Sequence, residues 1–308
     1  MVFIALVGLD FSGRDTIATW LQTQKGFQRI AIDQTWRQNA VTTDLTSAVV
    51  LQEGWIKRPW FLLVGVKSGT MVRFERASKV AHRSPISLDL PSFITADDLS
   101  LYGHPTTSLS SSLATSLTLQ PTLQAPVQEL FDLSGLTIVN NYTTLEDLWA
   151  YLEKIDLEDG ERLRPGWDRY FMTLASLASL RSNCMKRRVG CILVRDKRIV
   201  STGYNGTPRG MTNCNQGGCA RCNKGEERGG ALNMCLCLHA EENALMEAGR
   251  ERVGSSSILY CNTCPCLNCA IKIVQSGVSE VVYNLAYAMD EVSAKILKEG
   301  GVVLRRLG

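Results

Sequence analysis

Two short segments, His239-Ala-Glu241 and Pro265-Cys266-Leu-Asn-Cys269, have the residue types and spacing for metal-assisted chemistry. Cys266 and Cys269 are three apart, so on a helix they share one face. Pro265 suits the first helical position, which puts Cys266 at a helix N-terminus, where free N–H groups favour a thiolate. His239 stands at a second helix start, and Glu241, two residues on, points elsewhere, beside a metal without ligating it. Two thiolates and an imidazole are zinc donors, and three protein ligands leave a fourth position for water. Zinc lowers the pKa of such a water toward ~7, and Glu241 is placed to move the protons. A purely structural zinc would close its coordination with a fourth Cys or His and leave Glu241 without a part.

The remaining composition agrees with a metal protein of a reducing compartment. All eleven cysteines lie after residue 183, a clustering that favours metal binding over scattered free thiols. The chain is 45% hydrophobic and 20% charged, as in soluble globular proteins, and its 308 residues suffice for two domains. A net charge of +3 without a long Lys/Arg run argues against a stable nucleic-acid partner but suits a small anionic substrate. No membrane partner is expected: the apolar run Val2–Gly8 is too short for a signal core and has no basic flank. The expected location is cytoplasmic, with the nucleus as an alternative.

The elements that must position these residues read as alternating strands and helices, the pattern of an α/β layered fold. Met1–Val7, the loop Gly8–Gly13 and a helix open the chain; strand-like runs follow at Trp60–Val66 and Leu136–Asn140. Thr144-Leu-Glu-Asp147 caps a helix running to about Leu157. Residues 104–124, rich in Ser, Thr, Leu and Pro, have no period and are expected to be a disordered insertion. The acidic stretch Asp156–Gly160 reads as a linker, which divides the chain into domains 1–160 and 161–308. The second domain then offers a helix from Trp167 to about Asn183 and strands at Val189–Arg195, Arg198–Gly203, Ser257–Cys261, Glu280–Tyr283 and Val302–Arg305. Between them lie the helices at His239 and Pro265, a helix near Glu291–Lys298, and a cysteine-rich loop over Asn213–Asn233.

H-x-E followed by P-C-x-x-C resembles the signature of zinc-dependent deaminases. The likeness extends over Trp167–Met172, Arg181–Cys184, Ser201–Pro208, Leu238–Ala244, Pro265–Cys269 and Ile273–Tyr283, which resemble the deoxycytidylate (dCMP) deaminase family, in its long fungal arrangement. That resemblance implies a cytidine-deaminase-like α/β/α sandwich and hydrolysis of dCMP to dUMP and ammonia, supplying thymidylate synthesis. Glu241 would be the proton carrier, His239, Cys266 and Cys269 the ligands of the catalytic zinc, and Asn205 a substrate contact whose amide both donates and accepts. The bland alternative makes Tyr204-Asn-Gly206 a simple turn. The resemblance also implies a second, structural zinc, with Cys184 and Cys214 as ligands. Cys219, Cys222, Cys235 and Cys237 compete for its last two places, Cys219 and Cys235 being favoured. Members of the family are homo-oligomers regulated by dCTP and dTTP. Other classes compatible with the residues are an RNA or tRNA deaminase and a zinc-containing nucleotide sensor without turnover.

Gly8-Leu-Asp-Phe-Ser-Gly13-Arg14-Asp15-Thr16 resembles a P-loop, G-x-x-x-x-G-K-[ST], and residues 138–148 resemble the end of nucleotide-kinase domains. Arg14 replaces the phosphate-reaching lysine, Asp15 replaces the Mg²⁺-binding hydroxyl, and Thr16 comes one place late. A degenerate P-loop kinase-like α/β domain, serving regulation or assembly, is the expectation for residues 1–160.

Overall fold

The computed structural model describes residues 1–81, 88–103, 126–224, 235–286 and 291–307, so the expected insertion at 104–124 lies outside the described residues. The chain divides into two compact units, Met1–Arg164 and Pro165–Gly308. The stretch expected as a linker folds onto the first unit instead: Leu157 is buried in its core and Leu163 packs against the same cluster. The acidic composition had hidden these two apolar anchors.

In chain order the first unit comprises β1 (Phe3–Val7), α1 (Arg14–Lys25), β2 (Gln28–Arg29), β3 (Ala40–Thr42) and a short helix α2 (Ala48–Val50). There follow β4 (Phe61–Lys67), α3 (Thr70–Ala81), α4 (Leu90–Tyr102), α5 (Val127–Asp132), β5 (Leu136–Val139) and α6 (Leu145–Ile155). The sheet is parallel with order β2-β3-β1-β4-β5. Every residue of β1 is buried, as the unbroken run Phe-Ile-Ala-Leu-Val requires of a strand covered on both faces. Ile4 and Leu6 join α1 and α6 through Ile17, Leu21, Leu148 and Leu152, while Phe3, Ala5 and Val7 meet Leu130 and Phe131 of α5 on the other face. Asp97 of α4 forms a largely buried ion pair with Arg73 of α3.

Because β3 and β4 flank β1 on opposite sides, the loop Gly8–Gly13 leaves β1 at a topological switch point, the usual ligand crevice of such sheets. Three side chains hold this loop through its carbonyl oxygens. Arg14 donates from Nη1 to the Gly8 carbonyl at 2.9 Å, Arg76 to the Phe11 carbonyl at 3.1 Å, and Asn140 to the Ser12 carbonyl at 2.8 Å. Asp15 is ion-paired with Arg29 and accepts from Thr43 at 3.2 Å.

The second unit comprises α7 (Trp167–Ser179), β6 (Gly190–Arg195), β7 (Arg198–Tyr204), α8 (Ala220–Asn223), α9 (Ala240–Val253), β8 (Ile258–Thr263), α10 (Leu267–Ser276), β9 (Glu280–Leu285), α11 (Glu291–Glu299) and β10 (Val303–Arg306). The sheet order is β10-β9-β8-β6-β7; β6 runs antiparallel to both neighbours, and β8, β9 and β10 are mutually parallel. Strand alternation sorts the residues into two layers. Ile192, Val194, Tyr260 and Val282 pack on Phe171, Met172 and Ala175 of α7. Cys191, Leu193, Leu259, Cys261 and Val281 pack on α9, α10 and α11.

Two glycines let helices lie directly on the strands. A Cβ at Gly190 would sit 2.0 Å from the Ala175 carbonyl oxygen of α7, and one at Gly203 would sit 2.0 Å from the Ala240 carbonyl oxygen of α9. Asp168, in the first turn of α7, accepts from Tyr260 at 2.8 Å and from Arg305 at 2.6 Å, fastening that helix to β8 and β10.

Candidate active site

Helix starts position the candidate metal ligands. His239 is the N-cap of α9 and Cys266 the N-cap of α10, both in extended conformation. Pro265 therefore precedes the cap and is not the first helical residue; Cys266 takes the capping place, with Cys269 one turn in. Glu242 stabilises this entry: its carboxylate accepts from the His239 backbone N–H at 2.8 Å and pairs with Lys272 of α10. One carboxylate thus ties the start of α9 to the body of α10. The spacing His239-x-x-Glu242 is that of a capping box, a signal present in the sequence and not read there.

The His239 Nδ1 atom lies 3.4 Å from Cys266 Sγ and 3.4 Å from Cys269 Sγ. Tetrahedral zinc, with Zn–S of about 2.3 Å and Zn–N of about 2.0–2.1 Å, sets such atoms about 3.6 Å apart, so the donor set fits the ion. The three groups also share protons. Cys266 is pulled down to about 4, first by a hydrogen bond from the Cys269 thiol and, against the cost of burial, by His239. His239 is raised to about 9, chiefly by its hydrogen bond to Cys266, and the Cys269 thiol is pushed well up. The helix N-terminus at Cys266 also favours its thiolate.

Glu241 is 4% exposed, buried between the ligands and the sheet. Burial pushes its carboxyl above the ordinary range, while the nearby His239 opposes that rise. A carboxyl moved toward neutrality and held beside a metal site is suited to proton transfer. Gly203 sets the depth at which it sits, since α9 rests on that glycine.

Residues 165–285 match the family model described as the cytidine and deoxycytidylate deaminase zinc-binding region. The deoxycytidylate deaminase of Schizosaccharomyces pombe is 40% identical, over 99% of this chain and 97% of that protein. This chain belongs to the deoxycytidylate deaminase family. The Saccharomyces cerevisiae deoxycytidylate deaminase is 58% identical over 55% of this chain and 53% of that protein. The dCMP deaminase of cyanophage S-TIM5, solved with dCMP and dUMP, is 33% identical over 47% of this chain and 98% of that one, with a TM-score of 0.39.

The other residues singled out in this deaminase sequence lie around the centre. Asn205 is buried, and the expectation that its amide would both donate to and accept from a ligand needs correction. Its oxygen already accepts from the Ser182 hydroxyl at 2.7 Å and the Val189 N–H at 2.8 Å. Its nitrogen donates to the Arg187 carbonyl at 2.9 Å, which leaves one amide hydrogen without a partner among the described residues. Asn205 thus braces the segment from Ser182 to Val189. Its successor Gly206 exchanges two backbone hydrogen bonds with Leu238, at 3.2 and 2.9 Å, which closes the base of the cysteine-rich excursion.

The four favoured structural-zinc ligands do not form one set. Cys184 and Cys214 group with Cys222 and Cys237, whereas Cys219 and Cys235 group with the same Cys222 and Cys237. Spacing along the chain could not reveal this. The pairing is made through space, between segments around Cys184, Cys214–Cys222 and Cys235–Cys237 that are not adjacent in the chain.

Proposed function

We propose that this chain hydrolyses dCMP to dUMP and ammonia, feeding thymidylate synthesis, with His239, Cys266 and Cys269 as zinc ligands and Glu241 as the proton carrier. The observation that carries the reading is the convergence of one imidazole and two thiols on a point beside a buried carboxylate. Zinc held there supplies the Lewis acidity that makes water nucleophilic near neutral pH. Glu241 accepts a proton from the attacking water and delivers one to the ring nitrogen. As the carbon–nitrogen bond breaks, Glu241 takes the second proton, from the hydroxyl now bonded to the ring carbon, and passes it to the amino group that leaves as ammonia. The new carbonyl forms and the carboxylate ends as it began. Burial raises this carboxyl from its ordinary value, the direction that favours such two-way transfer. Glu242 and Lys272 hold the ligand-bearing helix ends in place, and Gly203 admits α9 to the depth the carboxylate needs. Asn205 contributes its free amide hydrogen as a donor to the nucleotide.

The reading extends to a structural metal in the cysteine cluster, homo-oligomer assembly, activation by dCTP and inhibition by dTTP. The first unit is taken as a degenerate P-loop, kinase-like domain serving that regulation or the assembly. The match to the S. pombe relative over 99% of the chain supports its inclusion in the functional protein. Its crowded loop, held by Arg14, Arg76 and Asn140, accords with loss of phosphoryl transfer. The test is ammonia release from free dCMP by the zinc-loaded full chain, with and without dCTP or dTTP, set against a cytosine-containing oligonucleotide. Turnover of dCMP alone is expected; turnover of the oligonucleotide alone, or of neither, would overturn the assignment.

A further inference from the structure

Away from the catalytic ligands, one cluster of buried side chains in the second unit consists of cysteines alone. Cys214, Cys219, Cys222 and Cys237 are buried, with Cys184 and Cys235 packed against them. We propose that these six thiolates hold two zinc ions in one binuclear cluster, with Cys222 and Cys237 bridging both ions. The outer ligands are Cys184 and Cys214 for one ion and Cys219 and Cys235 for the other.

The sulfur geometry carries this inference. Each of the two groups of four brings its sulfurs within 4.8 Å of one another, and the groups share Cys222 and Cys237. A tetrahedral tetrathiolate with Zn–S of about 2.3 Å has edges of about 3.8 Å. The separations Cys184–Cys222, 3.7 Å, and Cys222–Cys235, 3.8 Å, are edges of the two different tetrahedra. Cys219–Cys235, 4.0 Å, is a second edge of one, and Cys222–Cys237, 4.0 Å, is the edge they share. Two tetrahedra joined along an edge need six ligands, two of them common to both, which is the arrangement found. None of these sulfurs is joined in a disulfide, whose bond would bring them to about 2.05 Å.

Charge allows the second ion. Loading releases six thiol protons, and two Zn²⁺ with six thiolates carry a net charge of −2. One Zn²⁺ with four thiolates carries −2 as well, so the second ion adds no net charge to be buried. Backbone N–H groups meet three of the four outer sulfurs: Met185 donates to Cys214 at 3.4 Å, Lys186 and Arg187 to Cys184, and Cys222 and Leu236 to Cys219. Such donors stabilise terminal thiolates, whereas a bridging sulfur gives its lone pairs to two ions. Among the described residues the buried members of the cluster are cysteines, so metal–thiolate bonds would be what hold this part of the chain.

The inference does not depend on the catalytic assignment, and the experiment keeps the two apart. Zinc per chain is measured by native mass spectrometry and elemental analysis on the full-length protein and on the double variant Cys266→Ala/Cys269→Ala. Zinc-edge X-ray absorption is recorded on the double variant. The expected result is three ions in the parent, two in the variant, and a zinc–zinc scattering path in that variant. A single tetrathiolate site predicts one ion remaining and no such path. A remaining count other than two, or two ions without the zinc–zinc path, overturns the proposal. Cys219→Ser adds a check, because a lone site built on Cys184, Cys214, Cys222 and Cys237 would lose no zinc while the binuclear cluster loses at least one ion. Should that variant not fold, the count and the scattering path on the intact cluster still decide.

Discussion

Replacing Gly203 by alanine tests whether the seating of α9 on the sheet governs the chemistry. The added methyl would lie 2.0 Å from the Ala240 carbonyl oxygen and 2.6 Å from the Ala244 nitrogen, where ordinary contacts begin at 3.4 Å. Both obstacles are backbone, so helix and strand must separate by about 1.4 Å (3.4 less 2.0) along the shorter contact. Ala240 stands between His239 and Glu241, so the displacement moves a metal ligand and the proton carrier together. Overpacking of this kind costs about 1–3 kcal/mol, and a misplacement of about 1 Å at a reacting centre costs about 10²-fold in rate. Gly190→Ala is the matched control. Its methyl would lie 2.0 Å from the Ala175 carbonyl oxygen and 2.5 Å from the Ser179 nitrogen, pushing α7 on the opposite face, away from the zinc ligands. Thermal unfolding should show similar losses of stability for the two variants. In steady-state dCMP turnover, kcat/KM should fall about 10²-fold for Gly203→Ala and less than about tenfold for Gly190→Ala. Equal losses of kcat/KM at equal losses of stability, or parental activity in a folded Gly203→Ala protein, would refute the reasoning.

Glu241→Gln preserves shape and removes the titrating group; it should keep its zinc while kcat falls about 10²–10⁴-fold, and unchanged turnover would remove Glu241 from the mechanism. Asp97→Ala strands the buried Arg73 guanidinium and should destabilise the first unit by about 3–5 kcal/mol in thermal or urea unfolding. Arg73→Met/Asp97→Leu should recover most of that loss, and no recovery would count against the desolvation argument. Asp168 is held below the ordinary carboxylate range, first by its hydrogen bond from Arg305 and then by that from Tyr260. A depressed carboxyl stabilises the fold above its unfolded-state pKa and loses that effect as the pH falls through its lower folded-state value. Asp168→Asn should therefore be less stable than the parent at pH 7, by about 1 kcal/mol or less given its partial exposure. The gap should close as the pH drops below 3.8; a gap that widens there contradicts the assignment. A strong zinc chelator should abolish turnover of dCMP and lower the unfolding temperature, and added zinc should reverse both changes.

The gathering of His239, Cys266 and Cys269 was legible because their geometry is local. His239 and Glu241 share one helix start, Cys266 and Cys269 another, and the spacing at a helix end fixes which way each side chain leaves. The long buried strands were legible for a similar reason, with ends displaced by only a residue or two: β1, β4 and β6 are continuous apolar runs. The short strands β2 and β3 were not, since two and three residues carry no measurable period. Nor was α4, in which no residue is buried and so no apolar stripe marks a face. The joint role of Cys222 and Cys237 escaped for a different reason: it is a relation among six points in space, contributed by segments around Cys184, Cys214–Cys222 and Cys235–Cys237. The acceptor capacity of Asn205 was misjudged because Ser182 and Val189, which use it, lie sixteen or more residues upstream.

The paired hydrogen bonds between Gly206 and Leu238 bring together the two ends of the segment that separates them. Closing such an excursion depends only weakly on its length, about 0.6 kcal/mol for each doubling. Its length is therefore free to drift in descendants of this chain, provided the two ends still meet and its cysteines still reach Cys184. Leu238 is the residue just before His239. The segment can lengthen or shorten while His239, next to its hinge, stays in register.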